Sequence, residues 1–347
     1  MRQPQFGKLP SGERLARIEQ SPNYRDGAFQ NQVPTPNFSN GGGFFRVFYE
    51  FLFNADKRNI PTDSIPHVKI DLHALPPEEN VLIWFGHSSY FIQVDNKRIL
   101  VDPVFNHNAS PISLTTKSFP GTQAYNAADI PPIDFLIITH DHWDHLDFNS
   151  IKALMPKVAQ VHCPLGVGAH FEYWGYPANK VHESDWGDTT PLANGFVLHT
   201  TPARHFSGRG LRRNTSLWAS YVLQSPSQKI YIGGDSGMGP HFATIGKQHG
   251  PFDLAILENG QYNRYWENIH TLPEQVLEAA RQLQAHNVLP VHTAKFPLSN
   301  HAWDEPLSRI TKANETIGLR LLTPQIGEAI RLADSTQRFK TWWVGLD

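Results

Sequence analysis

One cysteine in 347 residues leaves Cys163 without a partner, so no disulfide can staple the chain and a reducing compartment fits. An excess of either charge is missing too: 30 Lys and Arg against 32 Asp and Glu give a formal net charge of -2. Proteins that grip nucleic acid through phosphate neutralisation carry a basic surplus, so no nucleic-acid partner is expected. No stretch approaches the roughly 20 apolar residues of a membrane span. The opening MRQPQFGKLPSGERLARIEQ also lacks the apolar core of a secretory signal. A cytoplasmic address is therefore expected. Internal repeats and low-complexity tracts are absent as well.

What is present is ordinary for a soluble enzyme: 40% apolar and 18% charged residues, enough to bury a full core. Residues 1–77 are rich in Pro, Gly and Asn, as in SPNYRDGAF and PTPNFSNGGG, and are expected to form an N-terminal extension that wraps the rest. Within it FFRVFYEFLF, Phe44 to Phe53, reads as a short helix with aromatics almost all round. It suits packing against the main domain or a second subunit, or contact with an acyl chain or membrane surface. Residues 78–347 alternate apolar strand patterns with helical ones. VLIWF, YFIQV, RILVD and FLIIT come first, then FVLHT, WASYVL, KIYIGG, LAIL and VLPVH. Helices are expected over 147–155 and 273–286, the second opened by Pro273 with Thr271 and Glu274 at capping-box spacing. The mixture indicates a layered α/β domain.

Histidine is the abundant residue, with 18 copies, and position decides which matter. Directly after the apolar run IDFLII comes THDHWDHLD, Thr139 to Asp147. Imidazole nitrogen and carboxylate oxygen are the usual ligands of catalytic zinc. Side chains two apart on extended backbone point the same way, so His140 and His142 can share one ion. Asp144 and His145, at the expected start of the next helix, can turn toward a second. Three further candidates sit at strand ends: His205 in TPARHFSG, Asp235 in YIGGDSG and His292 in VLPVHTAKF.

The order H-x-H-x-D-H, isolated His, strand-end Gly-Asp, strand-end His resembles the metallo-β-lactamase superfamily, whose fold is an αββα four-layer sandwich. WFGHSSYF, LVDPVF, PPIDFLIITHDHWDHLDFNSI, IGKQHGPFDLAILENGQY and IHTLPEQVLEA resemble its N-acyl-phosphatidylethanolamine-hydrolysing phospholipase D branch and bacterial relatives. The ascorbate-6-phosphate lactonases are similar more distantly. The likeness covers about residues 78–335 and is more specific for the metal site than for substrate.

By that resemblance one zinc takes His140, His142 and His205, the other takes Asp144, His145 and His292, and Asp235 bridges both; other divalent metals would also fit. Two such ions about 3.5–4 Å apart can hold a hydroxide between them, which removes the need for a Ser or Cys nucleophile. The implied activity is phosphodiester hydrolysis on a phospholipid-like substrate, with Asp144, Asp235 and His270 in catalytic roles. Independently of the resemblance, the aromatic segment 44–53 suits a peripheral contact to the inner face of the membrane. His270 would touch substrate or protonate the leaving group, a local capping role being its alternative. Asp102 resembles a strand-end Asp that braces the histidine loop, and His87 in GHSSY is either a buried, satisfied histidine or one that orients a ligand. A lactonase or other ester hydrolase on the same metals, and an iron-binding redox protein, remain alternatives.

Overall fold

The computed structural model describes residues 3–36, 38–40, 43–112 and 115–347, with Phe44, Val47, Phe48, Phe51 and Leu52 described by backbone alone. Two seven-stranded mixed sheets stack face to face. In the first the spatial order is Ala329–Arg331, Val81–Trp84, Tyr90–Val94, Lys97–Val101, Ile133–Ile137, Val158–Pro164, Val181–Ser184. In the second it is Arg320–Leu321, Asn287–Val291, Leu254–Glu258, Lys229–Ile232, Ser220–Gln224, Val197–Thr201, Thr189–Pro191.

Side-chain alternation along the strands builds the layers. In the second sheet Tyr221, Leu223, Ile230, Ile232, Leu254 and Ile256 join the core shared with the first sheet. The intervening Val222, Tyr231, Ala255 and Leu257 turn outward and pack on Phe242, Ile245, Val276, Leu277 and Ile310, from the helices His241–His249, Pro273–Gln282 and Glu305–Asn314. The first sheet is buried on both faces, with Ile151 and Leu154 of helix Phe148–Leu154 and Phe171 of helix Gly168–Tyr173 against it. The order helix, sheet, sheet, helix is the expected αββα sandwich. Cys163 lies buried in this core.

Each sheet contains a run of four parallel strands: 97–101, 133–137, 158–164 and 181–184 in one, and 229–232, 254–258, 287–291 and 320–321 in the other. Parallel strands deliver their carboxyl ends to one rim, where ligands of α/β proteins bind. The 273–286 expectation runs long, because the helix is Pro273–Gln282, and its cap falls one residue later than expected. Gln275 accepts from the Leu272 N–H at 3.0 Å, while the Thr271 hydroxyl is engaged with the Glu258 carbonyl. Phe44–Phe53 is a helix. What its Phe44, Val47, Phe48, Phe51 and Leu52 side chains pack on lies outside the described residues. Among the described residues no helix is long and apolar enough to cross a membrane.

Candidate metal centre

The segment after strand Ile133–Ile137 is fixed before any ligand is considered. Thr139 gives its N–H and hydroxyl to the two oxygens of Asp102, at 2.8 and 2.6 Å, and its carbonyl accepts from Ala219. Asp102, at the end of strand Lys97–Val101, also meets His145 Nδ1 at 2.8 Å. It is the brace, and its backbone is held at φ 41 to do it. Helix Phe148–Leu154 begins only after its cap Asp147, which accepts from Ser150. Asp144 and His145 therefore sit in the turn ahead of the helix, not at its start, and the turn brings the His145 ring within 4.1 Å of that of His140.

Asp141, a spacer in the motif, proves to be structural. Buried, it accepts from the Gly208 N–H at 2.7 Å, the Ser216 hydroxyl at 2.8 Å and His170 Nε2 at 3.3 Å. Burial opposes its charge, but His170 and nearby cations hold the carboxylate far below its ordinary value. Arg209 closes the loop from behind by donating to the carbonyls of Asp141 and Leu146 and to that of Gln5, with Trp143 stacked on its guanidinium.

From the second sheet come the scattered residues. His205 exchanges backbone hydrogen bonds with the Asn31 side chain, and its Nδ1 lies 2.9 Å from the Ile269 carbonyl. A carbonyl can only accept, so that contact places the hydrogen on Nδ1 and leaves Nε2 a lone pair for the centre. Asp235 follows Gly234, whose φ of 59 and close approach to Thr139 leave no room for a Cβ. His292, also left-handed at φ 63, takes a backbone bond from its N–H to the His87 carbonyl, and Ser88 meets its Nδ1 at 2.9 Å.

All seven residues singled out from the sequence converge. His140 Nε2 and His205 Nε2 lie 2.9 and 3.2 Å from His142 Nδ1. Nitrogens around one tetrahedral zinc, at Zn–N of about 2.0–2.1 Å, would stand roughly 3.3 Å apart. The two oxygens of Asp235 divide: Oδ2 faces His205 and His140 at 3.7 and 3.8 Å, Oδ1 faces His145 and His292 at 3.2 Å each. His145 Nε2 and Asp235 Oδ1 are buried with no hydrogen-bond partner among the described residues. Buried polar atoms without partners are rare, and a cation turns such atoms into ligands. The donor set is a His/Asp cluster compatible with metal binding, in one group of His140, His142, His205 and Asp235, another of His87, Asp144, His145 and His292, and a third, overlapping both, of Asp235, Glu258, His270 and His292.

The electrostatics suit that use. Burial depresses His140, His205 and His292 well below the ordinary imidazole range, and His142 to about 4, which keeps them in the neutral form that metals bind. His145 departs in the other direction. Burial works against its charge, yet Asp235, Asp144 and Asp102 hold a proton on it, so loading a cation would displace that proton.

His87 is not the satisfied core histidine. Its Nε2 meets Asp144 at 2.7 Å, its ring lies 4.1 Å from that of His292, and its Nδ1 has no partner among the described residues. His270 lines the same cavity, with Nδ1 2.6 Å from Glu258. The sequence reading passed over Glu258. A carboxylate closing the apolar strand LAILE was the available signal, of the same kind that marked Asp235. Burial pushes Glu258 up to about 7, and the facing carboxylate raises His270 above its ordinary value against the effect of burial. Outward from the cluster a cavity of about 250 Å³ is walled by Phe38, Phe206, Trp266, Ile269 and Leu298, with Arg213 and Gln261 as further polar groups.

Residues 97–293 match the model of the β-lactamase superfamily domain. An uncharacterized protein of Mycobacterium tuberculosis is 36% identical, with 94% of this chain and 88% of that protein aligned. The N-acyl-phosphatidylethanolamine-hydrolyzing phospholipase D 1 of Caenorhabditis elegans is 28% identical over 78% of this chain and 81% of its own length. Two solved structures share the fold: the metallo hydrolase Igni18 of Ignicoccus hospitalis (TM-score 0.55, 22% identity, 72% of this chain and 97% of that one) and the diiron β-hydroxylase CmlA of Streptomyces venezuelae (TM-score 0.57, 20% identity, 74% and 55%). With the site and the matches in agreement, the chain belongs to the β-lactamase superfamily and is a metal-dependent hydrolase on the metallo-β-lactamase fold.

Proposed function

We propose that the chain is a dinuclear zinc phosphodiesterase acting on phospholipid-like substrates. His140, His142 and His205 would hold one cation, Asp144, His145 and His292 the other, and Asp235 both. The observation that carries this reading is the division of the Asp235 oxygens between two histidine groups. Two divalent cations in such a setting supply an activated water at neutral pH and Lewis-acid stabilisation of developing charge. The chain's own residues do the rest. Asp102 and His87 hold His145 and Asp144 in place, the apolar wall excludes water, and His270 faces the leaving group.

A lipid-like substrate is supported by the name of the Caenorhabditis relative and by the cavity's aromatic and aliphatic wall. Arg213, exposed at that wall and stacked on Phe206, has no carboxylate partner among the described residues and suits an anionic substrate. The helix Phe44–Phe53 stands beside the same mouth, because its Glu50 accepts from Tyr265 and Arg264, next to Trp266. Tyr49 and Phe53 on that helix are 57% and 68% exposed, an aromatic edge suited to the inner face of a membrane.

Metal analysis of the purified protein, followed by a screen of detergent-solubilised phospholipid diesters against lactones, tests the proposal. Two zincs per chain and diester turnover are expected, with Asp235→Asn losing at least about a thousandfold in kcat, as befits a group on which the whole centre depends. Lactone turnover alone would replace the substrate reading. Stoichiometric iron with a visible absorption band would replace the hydrolase metal.

A further inference from the structure

A second cavity, of about 320 Å³, shares two lining residues, His205 and Phe206, with the cavity that opens on the cluster. Phe206 is the partition between them. Its ring packs on those of His142 and His205 at 4.4 and 4.8 Å, and the Arg213 guanidinium lies over it. The rest of the wall is the segment 29–35 of the N-terminal extension, together with Arg25 and Asn214. That segment is firmly tied. The Phe29 N–H donates to the Asn214 carbonyl at 2.8 Å, and the Asn31 side chain exchanges hydrogen bonds with the His205 backbone. Arg204 donates to the Pro34 carbonyl and the Thr35 hydroxyl at 3.0 Å each. Core packing does not account for this anchoring, because Phe29 alone of residues 29–35 is buried. The cavity's polar groups are also uncommitted. The Arg25 guanidinium and the Gln32 amide have no hydrogen-bond or ion-pair partner among the described residues, and the Asn214 side chain uses only its oxygen, toward the Ser207 N–H. Among the described residues Arg25 and His205 are the ionisable side chains of the lining, which holds no carboxylate.

We infer that this second cavity takes the polar arm of the substrate, and that Arg25 selects an arm carrying a further oxyanion over a neutral or cationic one. This rests on the phosphodiesterase reading above. With phosphorus at the metal cluster, the apolar arm follows Phe38, Trp266, Ile269 and Leu298, and the polar arm passes Phe206 toward Arg25. A guanidinium presents paired donors that match phosphate or carboxylate oxygens, and it repels an ammonium group. A wall already held in place by hydrogen bonds adds little ordering cost when such a group enters.

In the competing account segment 29–35 only covers the rim, and Arg25 is a solvated cation. Three short-chain diesters separate the two. They share a dihexanoylglycerol arm and carry glycerol 3-phosphate, glycerol or choline as the polar arm. Metal-loaded parent, Arg25→Gln, Arg25→Glu and Arg212→Gln are compared. Arg212 is an exposed cation that lines neither cavity, so its loss controls for long-range charge. In the parent kcat/KM should fall in the order anionic, neutral, cationic. Arg25→Gln should cut the anionic-to-neutral ratio about 10- to 100-fold, and Arg25→Glu should place the choline diester above the anionic one. Arg212→Gln should move the ratio by less than about twofold. Titration calorimetry on the full-length protein stripped of metal adds a reading independent of turnover. Glycerol 3-phosphate should bind the parent, and bind Arg25→Gln about tenfold more weakly. Inorganic phosphate, titrated in the same way, distinguishes a substrate arm from a free anion. Phosphate binding through Arg25 with diester ratios indifferent to the substitution would overturn the inference. So would an Arg212→Gln effect equal to that of Arg25→Gln. A parent that turns over no diester yet binds glycerol 3-phosphate through Arg25 would overturn the phosphodiesterase reading and keep the cavity as an oxyanion subsite. Absence of both turnover and Arg25-dependent binding would overturn the two together.

Discussion

The floor of the cavity and its mouth are built on opposite terms. On the floor most of the side chains in the cluster have a second anchor: Asp102 behind His145, His87 behind Asp144, the Ile269 carbonyl behind His205, Ser88 behind His292. At the mouth, Phe38, Trp266 and Leu298 come from three different loops, and Arg213 is an exposed cation resting on a single ring. The difference teaches where specificity of each kind is stored. Metal chemistry tolerates errors of tenths of an ångström, and such precision needs interlocking hydrogen bonds. Substrate range needs shape and apolar surface, which loops supply loosely. A floor mutation should therefore damage stability and metal affinity together, and a mouth mutation should leave both intact.

The largest expected effect comes from pulling out the brace. Asp102→Ala would strand the Thr139 N–H and hydroxyl and His145 Nδ1, all buried. Each orphaned buried group costs about 1–3 kcal/mol, so a loss of roughly 3 kcal/mol in urea unfolding is expected. A 10- to 100-fold weaker metal affinity by competitive chelation should accompany it. Stability lost without metal affinity would mean that the floor is not the interlocked unit described above.

Lys295 offers a sharper test of the same floor, because among the described residues its side chain makes no hydrogen bond or ion pair to any of the seven. Three residues beyond His292, it is wholly buried and donates to the carbonyls of Phe85 and Val104 at 3.2 and 2.9 Å, tying the His292 loop to the loops carrying His87 and following Asp102. Burial drives its ammonium down to about 7 from the usual 10.5, with Asp147 pulling weakly the other way. Above about 7 the folded protein holds the amine neutral while the unfolded chain still binds the proton, so this group adds stability as pH rises from 7 toward 10. Below 7 both states are protonated and the slope vanishes. Lys295→Met leaves two carbonyls unpaired and should cost about 2 kcal/mol. The loss should be larger at pH 9 than at pH 7, as read from urea midpoints. A loss independent of pH would show that the ammonium stays charged in the fold.

This contrast also explains what could be read in advance. THDHWDHLD announces itself because four donors fall within six positions, and Asp235 and His292 do so because each closes an apolar strand whose end must reach the rim. The strand patterns indicate a layered α/β domain, and the two-sheet sandwich is implied by the resemblance of the motifs to the metallo-β-lactamase superfamily. Glu258 escaped because a lone strand-end carboxylate looks like any polar stop until His270, twelve residues on, folds back against it. Asp141 escaped because a spacer between candidate ligands carries no periodic signal of its hidden partners in 170, 208 and 216. The walls were harder still. Phe38, Phe206, Trp266 and Leu298 are brought together only by tertiary closure of loops, and loops have no repeat to read.

The smallest effect on the molecule itself should come from the outermost part of the mouth, and it isolates the membrane proposal from the chemistry. Tyr49 and Phe53 share a face of the helix Phe44–Phe53, their rings 5.0 Å apart, and both are exposed. Exposed positions away from caps and buried partners change stability by no more than about 0.5 kcal/mol. Transfer of two aromatic side chains into an interface is worth several times that, on the order of 2–3 kcal/mol in total. Tyr49→Ser with Phe53→Ser should then weaken sedimentation with anionic phospholipid vesicles by roughly 10- to 100-fold. Turnover of a short-chain soluble diester should not change, because neither residue lines the cavity. Equal vesicle binding by parent and double variant would remove this helix from any membrane role and leave the cavity wall as the remaining support for a lipid substrate. A matching fall on the soluble diester would instead mean that the helix shapes the pocket through Glu50 and its bonds to Tyr265 and Arg264, which would make the mouth less independent of the floor than its exposed side chains suggest.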